Sequence, residues 1–214
     1  MQVIGITGGV GSGKSALLSG LCQRYGARIR VIHADDVANE VKGPGGMCYN
    51  EIVSLLGEDV LDREAEAPVR DAEGRSLYPV DRNKMARMIF SDRALLARVN
   101  AILHPAVRGT VRHAIEEERK NGRLRALFIE AALLIEAGYE EIVDEMWVVT
   151  APEDIRIRRL KEARGYSEEK IRDIFSSQLT QEQFLAHADR VIDNGGTQEA
   201  AIEQMVAYLG PDEE

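Results

Sequence analysis

The chain has 214 residues, of which 44% are hydrophobic, and its 27 basic and 36 acidic residues give a formal net charge of −9. This composition predicts one soluble α/β domain with a buried core and argues against a surface that binds nucleic acid throughout. No apolar run reaches the ~20 residues of a membrane span, the first residues lack a targeting segment, and the cysteines are too few for a disulfide framework. We therefore expect a cytoplasmic protein with neither membrane nor nucleic-acid partners.

Short apolar runs predict the buried strands of a parallel sheet. Each run is continuous rather than alternating, as in strands covered on both faces, and helical patterns separate the runs. The runs are residues 3–6, 29–32, 126–129, 146–149 and 191–192. Right-handed βαβ connections between them give an α/β fold with a five-stranded parallel sheet.

The strongest motif directly follows the first strand. Gly8 to Ser15 matches G-x-x-x-x-G-K-[ST], which chance would place in roughly one chain per hundred of this length. Backbone N–H groups of such a loop cradle phosphates, Lys14 bridges the β- and γ-phosphates, and the Ser15 hydroxyl coordinates Mg²⁺. The motif predicts nucleotide and Mg²⁺ binding but not the reaction, and we expect the nucleotide to be ATP. The predicted nucleotide-binding residues are Gly11, Ser12, Gly13, Lys14, Ser15 and Ala16.

Two carboxylates, Asp35 and Asp36, follow the second strand. Because ligands bind beyond the carboxyl ends of parallel strands, we place these residues near the phosphate loop. One of them could accept a proton from an acceptor hydroxyl or hold a water molecule on Mg²⁺. The alternative is that they cap the helix predicted over 37–41, and we expect one to cap it and the other to be free for chemistry.

The longest interval between strands predicts an inserted helical lobe. Its helical patterns cover 47–56, 82–90, 93–102 and 106–120. Pro105 disfavours helix at His104, which separates the last two patterns. The polar stretch 62–81 predicts an exposed loop or a small hairpin.

A second helical stretch, 153–187, is rich in arginine and lysine in a chain whose net charge is negative. The simple interpretation is a solvated helix face, since acidic residues are interspersed. Three classes of phosphate-loop protein remain: a GTPase switch, an ATP-driven machine and a small-molecule kinase. The nearest match to the guanine-binding N-K-x-D, at 83–86, lacks the Asp, and motors are usually larger. A kinase needs an acceptor pocket and a closing lid, which the two helical segments could supply.

Taken together, the motifs resemble the dephospho-coenzyme A kinase family. The resemblance extends from residue 2 to about residue 207, and the ordered set of motifs is much more specific than the phosphate loop alone. The motifs are the loop at 7–15, HAD at 33–35, LHP at 103–105, EAALLIE at 130–136, the arginine-rich segment at 158–167 and ADRVIDNGG at 188–196.

The resemblance implies a P-loop kinase-like three-layer αβα fold and transfer of phosphate from ATP to the ribose 3′-hydroxyl of dephospho-CoA. It implies a core at about 1–34, 122–152 and 188–210, an acceptor-binding lobe at about 35–121 and a lid at about 153–187. We expect a monomer that uses Mg²⁺. The alternatives are another small-molecule or nucleoside monophosphate kinase, or a nucleotide-binding module with impaired catalysis.

The resemblance also assigns roles to single residues. It makes Asp35 the residue that orients or deprotonates the acceptor hydroxyl, and Arg164 the lid arginine that closes on the transferred group. Glu130 would hold Mg²⁺ through a bound water molecule, together with Ser15, the alternative being a buried capping role. His104 would contact the acceptor and Asn194 would lie along the adenine, the alternative for each being an ordinary role in a turn. Three positions depart from the family pattern: His33 replaces an Asp, Asn39 an Arg and Ala132 a Pro.

Overall fold

The computed structural model describes residues 1–65, 68–131 and 133–210. Ala132, one of the departures from the family pattern, and residues 66 and 67 of the predicted 62–81 loop lie outside the described residues.

The strands of the described chain confirm the predicted parallel sheet. Five of them pair in the order β2-β5-β1-β6-β7, all in parallel, and each extends slightly beyond its apolar run. The other two form the small antiparallel hairpin predicted within 62–81. In chain order the strands are β1 (Gln2–Thr7), β2 (Ile29–His33), β3 (Val69–Arg70), β4 (Ser76–Leu77), β5 (Ala126–Glu130), β6 (Glu145–Thr150) and β7 (Arg190–Asp193).

Helices occupy the intervals between the strands, as the sequence predicts. Short 3-10 turns at Gly26–Arg28, Glu58–Val60 and Tyr139–Glu141 complete the regular structure. The α-helices of the described chain are α1 (Lys14–Tyr25), α2 (Ala34–Lys42), α3 (Tyr49–Leu56), α4 (Arg82–Ser91), α5 (Arg93–Asn121), α6 (Glu153–Arg164), α7 (Glu168–Ser177), α8 (Gln181–Leu185) and α9 (Gln198–Leu209). Among the described residues, the model contains no helix whose length and apolarity would suffice to traverse a membrane.

The predicted helix break at His104 is wrong, because α5 continues through Pro105. An internal proline removes one backbone hydrogen bond, at a cost of roughly 3 kcal/mol. A stripe of buried side chains recurs every fourth residue on both sides of the proline and offsets that loss by burial. The stripe consists of Val99, Leu103, Val107, Val111 and Ile115.

The expectation that Asp35 or Asp36 caps a helix is also wrong. Helix α2 begins at Ala34, so both carboxylates lie in its first turn. Negative charge at that place interacts favourably with the positive end of the helix dipole. The two carboxylates therefore stabilise the helix start by charge.

The core beside the sheet is packed around the fully buried Trp147 of β6. Its ring meets Phe128 of β5 edge to face, with centroids 5.5 Å apart, an arrangement that adds to the energy of area burial. Apolar residues of α1 and α9 complete the cluster, and Cys22 packs against it half-buried. The predicted apolar helix face of α1, formed by Leu17, Leu18 and Leu21, is buried there.

The last helix also covers the outer edge of β7 with polar side chains. Gln204 of α9 accepts a hydrogen bond from the Asp193 N–H and donates one to the Asp193 carbonyl, each at 2.9 Å. The Tyr208 hydroxyl donates to the Val191 carbonyl over 3.0 Å. The Asp193 N–H and the carbonyls of Val191 and Asp193 are thus hydrogen-bonded to side chains of the same protein.

The chain divides into two compact units. One comprises Met1–His33 and the described part of Ile115–Glu214, and it contains the parallel sheet, the phosphate motif and helices α6 to α9. The other is Ala34–Ala114, which contains the hairpin and helices α2 to α4. The finer division into core, lobe and lid stays a prediction.

Candidate active site

The phosphate motif forms a tight loop between β1 and α1. Gly8 has a φ of 139° and Gly13 has a φ of 96°, values that residues with a Cβ rarely adopt. A Cβ on Gly13 would also collide with the amide of Asn194. Among the described residues, no side chain caps the start of α1, so its first N–H groups are open to an anion.

Lys14 closes the loop on itself. Its ammonium donates to the Gly8 carbonyl over 2.6 Å and lies 3.5 Å from the Gly9 carbonyl. Burial lowers the pKa of Lys14 from 10.5 to about 8; Glu130 raises this pKa, while Arg156 and Arg164 lower it further. A desolvated cation whose hydrogen bonds are to neutral carbonyls is placed to gain strongly from a triphosphate.

Ser15, Glu130 and His33 form a hydrogen-bonded chain across the ends of two strands. The Ser15 hydroxyl donates to Oε1 of Glu130 over 2.9 Å. The other carboxylate oxygen, Oε2, lies 2.7 Å from Nδ1 of His33. Residues 33 and 130 are register partners at the carboxyl ends of β2 and β5. This chain brings together both predicted metal-binding residues, Ser15 and Glu130.

The donor set of this pair fits Mg²⁺. A serine hydroxyl and a carboxylate are hard oxygen ligands, and Mg²⁺ is usually bound through one or two such groups together with substrate phosphates and water. Ser15 also directly follows Lys14, so the pair lies where the loop would present a bound phosphate.

Three residues outside the predicted set of site residues also contact the loop. Arg156 of α6 donates from Nε to the Val10 carbonyl over 2.9 Å, and Gln178 accepts from the Val10 N–H over 2.9 Å. Arg156 also lies over the ring of Phe175 at 4.2 Å, and burial lowers its pKa. Arg159 donates to the Ser12 carbonyl over 3.3 Å. The arginine-rich composition of 153–187 was the one available signal for the two arginines; nothing indicated Gln178.

Asn194 is buried against the loop. Its Nδ2 donates to the Ser12 carbonyl over 2.7 Å, while its Oδ1 has no hydrogen-bond partner among the described residues. The hydroxyls of Ser12 and Thr7 are buried and likewise unpartnered within the described chain. Unsatisfied buried polar atoms are rare and point to a missing water or ligand. A cavity of about 20 Å³ beside Gly8, Gly9 and Ser12 has room for one water molecule.

Arg164 is the last residue of α6, and Gly165 after it has φ of 61° and ends the helix. The side chain is exposed, its guanidinium lies 5.9 Å from the Tyr166 ring centre, and its charge acts on Lys14. The predicted lid arginine is therefore within electrostatic range of the loop.

The two predicted acceptor-site residues belong to the other unit. Asp35 is exposed in the first turn of α2. Its charge raises the pKa of Lys42, against the larger lowering by burial. His104 is half-buried within α5, where burial and Arg108 lower its pKa. The roles of both residues toward the phosphate loop stay predictions.

Comparison with known proteins places this geometry in a defined context. A family model described as dephospho-CoA kinase matches residues 2–199. A dephospho-CoA kinase from Corynebacterium diphtheriae is 37% identical over 98% of this chain and 96% of its own length. One from Moorella thermoacetica is 38% identical over 94% of this chain and 87% of its own length.

Two solved structures share the fold over nearly the whole chain. The crystal structure of TT1252 from Thermus thermophilus has a TM-score of 0.73 and 27% identity, and the alignment covers 98% of each chain. A dephospho-CoA kinase from Campylobacter jejuni has a TM-score of 0.67 and 20% identity, with 97% of this chain and 94% of that one covered. The second likeness is one of fold alone.

Proposed function

The chain belongs to the dephospho-CoA kinase family, and from that premise we propose how its own residues carry out the reaction. The enzyme phosphorylates the ribose 3′-hydroxyl of dephospho-CoA with ATP, giving CoA and ADP, the final step of coenzyme A biosynthesis. One observation carries the assignment of this activity to particular residues. Lys14, Ser15 and Glu130 converge at the open start of α1.

The loop from Gly11 to Ala16 binds the triphosphate of ATP. Its backbone N–H groups and the uncapped start of α1 supply donors to phosphate oxygens. Lys14 exchanges its contact with the Gly8 carbonyl for the β- and γ-phosphates. Since the ammonium is already desolvated, this exchange gains charge-assisted hydrogen bonds with little further loss of water. Asn194 supports the loop through its hydrogen bond to the Ser12 carbonyl and lies beside the adenine.

Ser15 and Glu130 bind Mg²⁺ with the nucleotide. The serine hydroxyl would supply an oxygen ligand while it keeps its proton and donates a hydrogen bond to Oε1 of Glu130, and the carboxylate would orient water around the ion. When bound, the ion neutralises charge on the β- and γ-phosphates.

Asp35 orients the 3′-hydroxyl of dephospho-CoA and accepts its proton as the phosphoryl group transfers. The support is its exposed position in the turn that directly follows β2, since ligands of parallel sheets bind beyond the carboxyl strand ends. His104 binds the acceptor elsewhere in the same unit. Phosphoryl transfer depends mainly on positioning and charge stabilisation, so orientation is the larger share of the role of Asp35.

Arg164 stabilises the charge of the transferring phosphoryl group. The support is its place at the end of α6, next to a helix-ending glycine, and its electrostatic effect on Lys14. The segment 153–187 acts as the lid that excludes water during transfer. We further propose a cytoplasmic monomer whose partners are ATP and dephospho-CoA and neither nucleic acid nor membrane.

A coupled assay that detects ADP tests this assignment. Purified protein with ATP and Mg²⁺ is offered dephospho-CoA, a nucleoside or a nucleoside monophosphate in separate reactions. We expect turnover only in the reaction that contains dephospho-CoA as acceptor. Equal or faster turnover with the other acceptors would contradict the acceptor assignment. The residue roles are tested by a structure with an ATP analogue and dephospho-CoA, which must place the 3′-oxygen within hydrogen-bond reach of Asp35.

A further inference from the structure

His33 is one of the departures from the family pattern, and the proposed mechanism does not use it. It ends β2, its side chain is 46% exposed, and its Nδ1 lies 2.7 Å from Oε2 of Glu130. The Glu130 side chain is only 13% exposed, so solvent has little access to it. The other oxygen of the same carboxylate accepts a hydrogen bond from the Ser15 hydroxyl.

The chemistry of this contact is directional. A carboxylate oxygen accepts hydrogen bonds. Nδ1 of His33 must therefore carry a proton and donate a hydrogen bond, whether the imidazole is neutral or charged. The two oxygens of Glu130 are thereby given separate partners. Oε2 is held by His33, and Oε1 faces the Ser15 hydroxyl.

We propose that His33 is a positioning residue that fixes the Glu130 carboxylate for divalent-ion binding at Ser15. This inference rests on the metal role proposed above for Ser15 and Glu130. Partners behind a metal-binding group orient it, and their loss typically weakens metal affinity about 10- to 100-fold. His33 touches neither reacting group in this proposal and acts only through Glu130.

The residue type matters at this position because positions 33 and 130 are paired across parallel strands. An acidic side chain at 33 would have no proton to donate at neutral pH and would face Glu130 with a like charge. A histidine supplies the donor instead. This chain therefore holds its carboxylate by a hydrogen bond where the family pattern has a second carboxylate.

Two amide substitutions distinguish an effect of the hydrogen bond on metal binding from an effect of side-chain size. In His33→Asn the amide nitrogen can take the place of Nδ1, whereas in His33→Gln the longer side chain carries its nitrogen past that place. We expect His33→Gln to raise the dissociation constant for Mn²⁺, measured by electron paramagnetic resonance with a nonhydrolysable ATP analogue, by about tenfold or more. His33→Asn should stay within about threefold of the unchanged protein. The half-saturating Mg²⁺ concentration should follow the same order, and ATP-analogue affinity without divalent ion should be unchanged.

His187→Gln is the matched control. His187 also contacts a glutamate through Nδ1, at 2.6 Å from Oε1 of Glu140, and both side chains are partly exposed. This pair lines a cavity with Asp144 and Asp189, neither of which has a role in the proposed site. His187→Gln should leave Mn²⁺ affinity unchanged, and melting temperatures show whether every variant folds.

The outcomes distinguish the metal role of Glu130 from the positioning role of His33. Glu130→Gln must itself weaken Mn²⁺ binding; if it does not, the metal role of Glu130 fails and the inference about His33 fails with it. If Glu130→Gln weakens binding while both His33 variants bind Mn²⁺ like the unchanged protein, the metal role stands and the positioning role is refuted. Equal losses in His33→Asn and His33→Gln would also refute it, because the hydrogen bond would then not be the cause.

Discussion

The side-chain amide of Asn194 donates a hydrogen bond to the carbonyl oxygen of Ser12 over 2.7 Å, joining residues that are 182 positions apart. Arg159 reinforces this contact, since its guanidinium donates to the same Ser12 carbonyl and to the Asn194 carbonyl over 2.9 Å. Asn194, the residue after β7, thereby supports the phosphate loop through its backbone. We therefore expect loop shape, and with it nucleotide affinity, to depend on a segment far from the loop in sequence.

Asn194→Ala should weaken ATP binding and lower the free energy of unfolding. The substitution leaves the buried Ser12 carbonyl with only the longer hydrogen bond from Arg159, and the loss of one hydrogen bond costs about 0.5–1.5 kcal/mol. Isothermal calorimetry with ATP and urea denaturation measure the two effects. A variant that retains both full ATP affinity and full stability would contradict the supporting role of Asn194.

Lys14→Met should abolish turnover without harming the fold. The methionine keeps an unbranched stem but removes the ammonium that stabilises the transferring phosphoryl group, so we expect kcat to fall by at least about 10²- to 10³-fold. Because burial disfavours the charge of Lys14, the melting temperature of the nucleotide-free variant should be equal or higher. Near-normal kcat would refute the role of Lys14, and a large drop in melting temperature would refute its energetic description.

The lowered pKa of Lys14 predicts a pH dependence of stability. The amine has a pKa of about 8 in the folded protein, against 10.5 ordinarily. Between these values the unfolded chain binds more protons, so the free energy of unfolding should rise with pH from about 8 to about 10.5 relative to Lys14→Met. Below about 8 both states are protonated, and the difference between the two proteins should be constant. Urea denaturation of both proteins across this range checks the sign, and a falling difference would contradict it.

Asp35→Asn should lower kcat far more than it changes ATP affinity. The amide keeps the shape of the side chain but cannot accept the 3′-hydroxyl proton, and the substitution leaves the nucleotide loop untouched. Steady-state kinetics with dephospho-CoA as the varied substrate, together with calorimetry for ATP, separate the two effects. Weakened ATP binding with unchanged kcat would instead make Asp35 a nucleotide or metal ligand.

Gln178→Ala should raise the KM for ATP by several-fold while leaving the KM for dephospho-CoA unchanged. Gln178 accepts the Val10 N–H, and the loss of this acceptor frees the tip of the phosphate loop. Gln204→Ala is the matched control, because Gln204 accepts the Asp193 N–H over the same 2.9 Å at the outer edge of the sheet. Equal effects of the two substitutions on the KM for ATP would argue that general loosening, not loop shape, is responsible.

The parts of this site that could be predicted from the sequence are local ones. The loop from Gly8 to Ser15 follows its strand and opens its helix within a few residues, so motif and context lie together. The place of Glu130 beside Ser15 was implied by a family resemblance, and the parallel pairing of β5 with β1 explains it. The loop is thus determined by one short segment, whereas the place of Glu130 also depends on the order of the strands in the sheet.

The parts that could not be predicted depend on distant partners or on packing. The Gln178–Val10 contact joins residues 168 positions apart, and no local pattern marks a glutamine as a loop partner. The helix across Pro105 was missed because a local rule about proline was outweighed by burial along α5, which is a tertiary effect. The cap expected from Asp35 or Asp36 was missed because helix starts are uncertain by a residue or two.

The hydrogen bonds that Gln204 and Tyr208 make to β7 have a consequence for how copies of the chain meet in concentrated solution. A foreign strand can extend a sheet only where its border still offers free donors and acceptors, and the Asp193 N–H and the carbonyls of Val191 and Asp193 are already engaged. Exchanging both side chains for alanine would reopen that border. Such a protein should become prone to ordered aggregation at high concentration, detectable by light scattering, while its phosphate loop remains intact.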